Sequence, residues 1–401
     1  MKNREDILQD ILSVKQSNLL ITAGTGVGKT YLSLKKAQSL NCKKVLVVIP
    51  KLVLIDNWNK EIAKWNEFNI IFKDIEYVTY VSLPKYIGKE YDMIIYDEAH
   101  HITERCLKAI PFIKSNYNIL LSATIKRTQL PEFIKVFHGL YNYSVTLQDA
   151  INNEILPEPK IILIPLTLKS YRTTELIINP KGTSVKYIDY QTYRMNKLQI
   201  KQRPKSIKVI VKCTELEWYV ENERDINGLW TKVSRTANPI LKNCYLKKCG
   251  DRLTWLSERK TPYIATILTV LKDKKCRSIT FCNNIKQTEQ LGQTCINSKN
   301  PDSDKILDFF NRGTINHIQA VEMLTEGVNL YNCQVALFQS RNSSQRVMVQ
   351  KIGRALRHQN PILLFPYFKN TREEELVKNI IEDYDKSMIS SIDITDLEHS
   401  I

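Results

Sequence analysis

No apolar run in the 401 residues reaches the length needed to span a bilayer, and the opening Met1-Lys2-Asn3-Arg4-Glu5-Asp6 has no apolar core of the kind a signal peptide requires. The nine cysteines are scattered. The close pairs Cys244/Cys249 and Cys276/Cys282 lack the two-residue spacing of zinc motifs, and no histidine cluster accompanies them. That argues against a zinc site and for reduced cysteines in a cytoplasmic protein. Negative charge is in deficit: 42 acidic against 58 basic residues give a net charge of +16 and a pI near 9.3. An excess of this size points to a polyanionic partner, nucleic acid first among them. An AT-rich coding sequence, which enriches Lys, Asn and Ile, accounts for the same bias. What remains is ordinary: 43% hydrophobic and 25% charged residues, enough chain for two or three domains.

The most informative stretch is Ile21-Thr22-Ala23-Gly24-Thr25-Gly26-Val27-Gly28-Lys29-Thr30. A buried strand is expected before it, from Asn18, and a helix after it, over Tyr31–Leu40. Three glycines in five residues between strand and helix, followed by Lys-Thr, form a phosphate-cradling loop. Glycines let successive N–H groups approach phosphate oxygens, and the helix N-terminus adds partial positive charge. Lys29 is placed to reach β- and γ-phosphates, and the Thr30 hydroxyl to ligate Mg²⁺. Ala23 stands where the usual pattern has glycine.

Further strands are expected at Lys44–Pro50, Tyr77–Leu83, Asp92–Tyr96 and Asn118–Leu121, with a helix over Lys51–Trp65. Strands alternating with helices make a doubly wound parallel sheet, whose ligands sit at the carboxyl ends of the strands. The phosphate loop, Pro50-Lys51, Asp97-Glu98 and Ser122-Ala123-Thr124 all lie at such ends and are expected to converge.

The order of these motifs, with Asp97-Glu98-Ala99-His100 beginning 68 residues after Lys29, resembles superfamily 2 helicases and translocases. In that resemblance Asp97 holds Mg²⁺ through its water shell, and Glu98 orients or deprotonates the attacking water. His100 resembles the residue that links ATP state to the second domain, and Ser122, Ala123 and Thr124 resemble the motif coupling ATP to nucleic acid. Pro50 and Lys51, with Thr79 and Tyr80, resemble segments that touch the nucleic-acid backbone. Gln9 and Gln16 are candidates for the adenine-reading glutamine, but neither sits in a matching pattern.

Residues 151–262 do not resemble the family. Within them Arg194, Lys197, Lys201, Arg203, Lys205, Lys208 and Lys212 follow one another without an acidic residue, and Tyr187, Tyr190 and Tyr193 lie just before. Basic residues with aromatics suit backbone tracking and base stacking; a solvated basic loop or strand face has the same composition. Helices are expected from Thr214 and over Asn238–Leu246, with a boundary at Pro262.

In the second half, the strand ending at Asn283 resembles the first motif of the second motor domain, and Ala320–Leu330, with Gly327 placed toward the nucleotide, the fifth. Glu322 stands where many relatives have threonine. In Gln350-Lys351-Ile352-Gly353-Arg354-Ala355-Leu356-Arg357, a helix puts Gln350, Arg354 and Arg357 on one face, so that both arginines can reach a γ-phosphate as fingers. Leu376, Ile380, Ile381 and Tyr384 give a helical stripe after that.

The resemblance, over residues 18–125 and 275–360, implies an α/β fold of two RecA-like parallel-sheet motor domains, 1–150 and 263–370. An inserted region, 151–262, separates them and a helical tail, 371–401, follows. It implies ATP and Mg²⁺ as cofactors, nucleic acid as partner (DNA ahead of RNA), no membrane, and a monomeric ATP-hydrolysing motor. A protein partner could use the middle region or the tail. An ATP-switched nucleic-acid-binding subunit of a larger assembly and an RNA helicase stay open.

Overall fold

A computed structural model describes residues 3–24, 26–64, 74–126, 128–171, 174–202, 204–236, 238–321, 330–339, 352, 358–382 and 384–401. The first half builds a six-stranded sheet from β1 (Asn18–Ala23), β2 (Lys44–Ile49), β3 (Asp74–Thr79), β4 (Glu90–Tyr96), β5 (Lys114–Ser122) and β6 (Tyr141–Val145). Its order is β3-β2-β4-β5-β1-β6, and every pair is parallel. Strand β2 is buried along its length after Lys44, which is why it reads as a continuous β-branched run. The expected strand at 77–83 ends sooner. Ser82 N–H turns back to the Thr79 carbonyl, and Pro84 opens a short 3-10 helix, Leu83–Tyr86.

The helix Arg4–Ser13 is tied to this sheet through a buried lysine. Lys36, on the helix Lys29–Ser39, donates to the carbonyls of Leu12 (2.9 Å) and Val14 (2.7 Å). Burial pulls its pKa down.

Strand β7 (Lys160–Leu166) follows, and then β8 (Thr174–Ile178), β9 (Ser184–Asp189) and β10 (Ile207–Cys213). The last three form a separate small sheet, β8-β10-β9, over a core of Tyr190, Tyr193, Ile200, Val209, Val211 and Cys213. Two long helices come next, Glu215–Val233 and Pro239–Asp273. The second runs through Pro262, where the sequence suggested a boundary. Its C-terminal half buries Leu256, Ile264, Ile267, Leu268 and Leu271 against the second large sheet. That burial outweighs the one hydrogen bond a proline removes.

The remaining strands are β11 (Ser278–Phe281), β12 (Cys295–Ile296), β13 (His317–Ala320), β14 (Val335–Phe338), β15 (Ile362–Phe368) and β16 (Ile389–Ser391). With β7 they form a seven-stranded parallel sheet, β12-β13-β11-β14-β15-β7-β16. Strand β7, which precedes the middle region in the chain, is thus an inner strand of the second sheet, and β16 of the C-terminal segment is its edge. Pro165 and Pro366 are tolerated there because each lies past the register of its outer neighbour: β16 pairs only with Ile161–Leu163, and β14 only with Ile362–Leu364. The expected C-terminal helix is Arg372–Ile381. Among the described residues no helix is long and apolar enough to cross a membrane.

Replacing Lys36 by Met keeps the apolar stem but leaves two part-buried carbonyls without their donor. We expect a loss of about 2 kcal/mol, read as a lower melting midpoint, with faster amide exchange in residues 4–13. An unchanged exchange pattern would contradict the tie.

Candidate active site

The loop after β1 depends on backbone conformations open mainly to glycine. Gly26 and Gly28 have φ of +97° and +96°. A Cβ on Gly28 would meet no atom within 4 Å, so conformation and not space requires glycine there. Ala23, by contrast, is the last residue of β1, buried and paired with Val145 of β6. An extended strand residue accepts a Cβ, which explains the departure from glycine. The helix Lys29–Ser39 starts at Gly28 without a side-chain cap, so its first N–H groups are left for a ligand. Lys29 Nζ lies 2.9 Å from the Ala23 carbonyl and 3.5 Å from that of Gly24, across the mouth of the loop.

Asp97 follows β4 directly, its N–H bonded to the Val48 carbonyl of β2. Its carboxylate accepts from Trp58 Nε1 (2.9 Å) on one oxygen and from the Glu98 N–H (3.0 Å) on the other. Its main-chain carbonyl accepts from the Tyr80 hydroxyl (2.7 Å). Burial first, and the neighbouring Glu98 charge second, push the Asp97 pKa up to about 6, while the Trp58 bond and the nearby Lys29 ammonium pull the other way. A half-buried carboxylate whose ionised form is this costly suits a site where a cation is expected. Asp97 and the Thr30 hydroxyl are the groups that could hold a divalent ion.

Glu98 has φ of +49°, a left-handed conformation that costs a non-glycine residue about 1 kcal/mol. The turn brings its Oε2 within 3.3 Å of His100 Nδ1. The same nitrogen lies 3.1 Å from Ser122 Oγ at the end of β5. Ser122 gives its hydrogen to the Thr124 carbonyl (2.8 Å), so Nδ1 is the donor and carries the proton. Gln129 Nε2 donates to the His100 carbonyl (2.9 Å) and fixes the turn from outside. A continuous polar chain therefore runs from the carboxylates after β4, through His100, to the Ser122–Thr124 turn after β5.

The structure brings together Ala23, Gly24, Gly26, Val27, Gly28, Lys29, Thr30, Asp97, Glu98, His100, Ser122, Ala123 and Thr124 at the carboxyl ends of β1, β4 and β5. Pro50 and Thr79 lie at the same edge, half-buried, beside exposed Lys51. Tyr80, expected among the backbone contacts, is buried with its hydroxyl on Asp97; it supports the carboxylate and does not offer its side chain to a ligand. Asn283 donates to Thr254 Oγ1 (3.1 Å) after β11, on the second sheet. In the middle region Tyr190 and Tyr193 are core residues, unavailable for stacking, and Lys197 is paired with Glu221. Tyr187 and Lys205 are exposed. Thr25, Arg203, Gly327, Gln350, Arg354 and Arg357 lie outside the described residues, as does the side chain of Lys201.

Sequence reasoning missed Trp58 and Gln129. Trp58 falls on the expected apolar stripe of its helix, yet a buried indole needs a partner for its N–H, and that was the available signal.

In metal-free protein, Asp97 binds its proton more tightly folded (about 6) than unfolded (3.8). Its favourable contribution is present below pH 4 and lost as pH rises through 6, so ionised Asp97 costs stability at neutral pH. Asp97→Asn in EDTA is expected to raise stability at pH 8 by on the order of 1–3 kcal/mol, with the gain shrinking at pH 5. Melting curves at both pH values check this; a gain larger at pH 5 would contradict it.

Residues 2–127 match the family described as type III restriction enzyme, res subunit. Over 370 residues, 86% of this chain and 76% of the relative, the sequence is 22% identical to the DNA 3′-5′ translocase XPB2 of Sulfurisphaera tokodaii. Among solved structures, S. cerevisiae Dbp5 bound to RNA and ADP BeF3 superposes with a TM-score of 0.61 at 9% identity, covering 100% of this chain and 91% of that one. The ATP-dependent type ISP restriction-modification enzyme LlaBIII bound to DNA superposes with a TM-score of 0.56 at 14% identity, covering 98% of this chain and 31% of that one. At such identities the structural likenesses establish the fold alone, two RecA-like domains.

Proposed function

We infer that this chain, a superfamily 2 helicase by its motif order and its two parallel sheets, is an ATP-driven motor that works on DNA. The observation that carries the reading is the polar chain Asp97–Glu98–His100–Ser122–Thr124 beside the glycine-turned loop of Lys29. It joins groups that handle a phosphate to a strand end placed to sense another ligand. DNA is preferred to RNA because the XPB2 relative is a DNA translocase and LlaBIII was solved on DNA. Dbp5, solved on RNA, keeps an RNA helicase as the second reading.

The residues divide the work. The N–H groups from Gly26 to Thr30 would cradle phosphates, and Lys29 would exchange its loop carbonyls for phosphate oxygens. Thr30 and Asp97 would hold Mg²⁺, which supplies charge neutralisation on the β- and γ-phosphates. Asp97 would do so through water, since each of its oxygens already accepts a protein N–H. Glu98 would orient the attacking water, and His100, 3.3 Å from its carboxylate and bonded to Ser122, would report its state to Ser122. Gly327, Gln350, Arg354 and Arg357 would complete the site from the second domain. Pro50, Lys51, Thr79, Asn283, Lys201, Arg203 and Lys205 are the proposed backbone contacts. We assign the Asp-Glu-Ala-His subtype on residues 97–100. The first motor domain is taken as 1–150, and the second as 263–370 with β7 and β16 completing its sheet.

The test is ATP hydrolysis measured side by side with duplex DNA, single-stranded DNA and RNA. DNA should stimulate turnover most. Lys29→Ala and Glu98→Gln should each reduce it at least ~100-fold, with Glu98→Gln still binding ATP. Equal turnover with and without nucleic acid would sink the motor reading; preferential stimulation by RNA would favour the second.

A further inference from the structure

The helices Glu215–Val233 and Pro239–Asp273 form an antiparallel hairpin whose base and tip differ in kind. The base is anchored. Tyr219, Glu221 and Ile226 on one helix and Arg252 and Leu256 on the other are buried. Trp218 stacks on Trp255 with ring centroids 4.0 Å apart. The hairpin's ion pairs sit here too: Arg224 with Glu221, Arg252 with Glu223, and Lys248 with Asp225.

Beyond that base the hairpin leaves the rest of the molecule. From Asn227 to Gly250 not one described residue is buried. From Ile226 to Gly250 there is no acidic residue, while Lys232, Arg235, Lys242, Lys247 and Lys248 are basic. Lys232, Arg235, Lys242 and Lys247 are exposed. Trp230, with 53% of its surface exposed, meets Tyr245 in a tilted ring pair, centroids 5.2 Å apart, and Ile240 and Leu246 are exposed as well. Folding alone explains none of this. A protruding element that only filled space would carry mixed charges and few large apolar groups at its tip.

We propose that this hairpin tip is a second nucleic-acid contact that grips the phosphate backbone of duplex DNA outside the motor cleft. The one-sign charge selects a polyanion. The basic residues sit on rigid helices, and the stretch Pro239–Gly250 extends roughly 18 Å, long enough to face about ten duplex phosphate charges. Trp230 and Ile240 supply apolar contact where the duplex surface or an opened base meets the tip. The base connects this contact to the motor, because the same helix that carries Lys242 packs its other end on the second parallel sheet. This inference rests on the DNA-motor reading.

The experiment compares the whole chain with a tip triple, Lys232→Glu/Arg235→Glu/Lys242→Glu, and a control triple, Lys108→Glu/Lys135→Glu/Lys305→Glu. The control makes the same net-charge change at exposed positions elsewhere. Binding to a blunt duplex and to a single-stranded oligonucleotide is measured across a salt series. We expect the tip triple to bind the duplex at least ~10-fold more weakly, with the slope of log affinity against log salt falling by about 3. Trp230→Ala should show a smaller loss of duplex affinity. The control triple should keep the wild-type slope, and melting midpoints should report intact folds for both. An equal loss in the two triples, or an unchanged slope in the tip triple, overturns the proposal. So does a tip-dependent loss seen only with phosphatidylserine-containing vesicles. Wild type that binds no DNA at all defeats the motor reading together with this one; wild type that binds while the tip triple matches it defeats this one alone.

Discussion

The site hangs on one half-buried carboxylate. Asp97 sits half-buried where a parallel strand ends, and is kept in place by an indole N–H, its neighbour's amide and a tyrosine hydroxyl on its own carbonyl. Holding an ionised group there is costly, and the Lys29 ammonium of the neighbouring glycine loop offsets part of that cost. Other features follow from fixing this residue. Glu98 takes a left-handed turn so that its carboxylate comes within 3.3 Å of His100 Nδ1, the nitrogen that bonds Ser122. Strain, burial and an uncapped helix start gather at one sheet edge, as functional sites lead one to expect.

The first sheet and its site were largely legible in the sequence. Strands β2, β4 and β5 are short apolar runs closed by proline, carboxylates and Ser-Ala-Thr, and β1 runs into the glycine loop. In parallel sheets such endings face the ligand, whereas β6, Tyr-Asn-Tyr-Ser-Val, has no such signature. What was not legible depended on distant pairing. Strand β7 reads as part of an intervening stretch because nothing local announces that β15, some 200 residues on, is its neighbour. Proline in both strands argues against inner positions until the outer registers are known to stop short of it. Pro262 reads as a stop because the burial that carries the helix past it belongs to the second sheet.

Aromatics were the other blind spot. Tyr80, Tyr190 and Tyr193 carry composition suited to nucleic-acid contact, and all three are buried: one under Asp97, two in the small sheet's core. Trp58 carries the opposite lesson, a stripe residue whose N–H does site work. Charge misled in a related way. The basic run at 194–212 is the densest in the sequence, yet Lys197 in it is paired inward, whereas the tip of the helical hairpin beyond it, from Ile226 to Gly250, is basic and carries no acidic residue. A count of charges along the chain does not tell which ones a fold leaves facing outward.

On the proposed reading Asp97, positioned by Trp58, would hold the metal ion. Trp58→Phe keeps the ring and removes only the N–H. Titrating Mg²⁺ into the DNA-stimulated ATPase reaction of this variant tests the claim most directly. The expected result is a requirement for roughly 10- to 100-fold more Mg²⁺, the cost of losing a group that orients a metal ligand. A Mg²⁺ dependence and a maximal rate both equal to those of the wild type would contradict it.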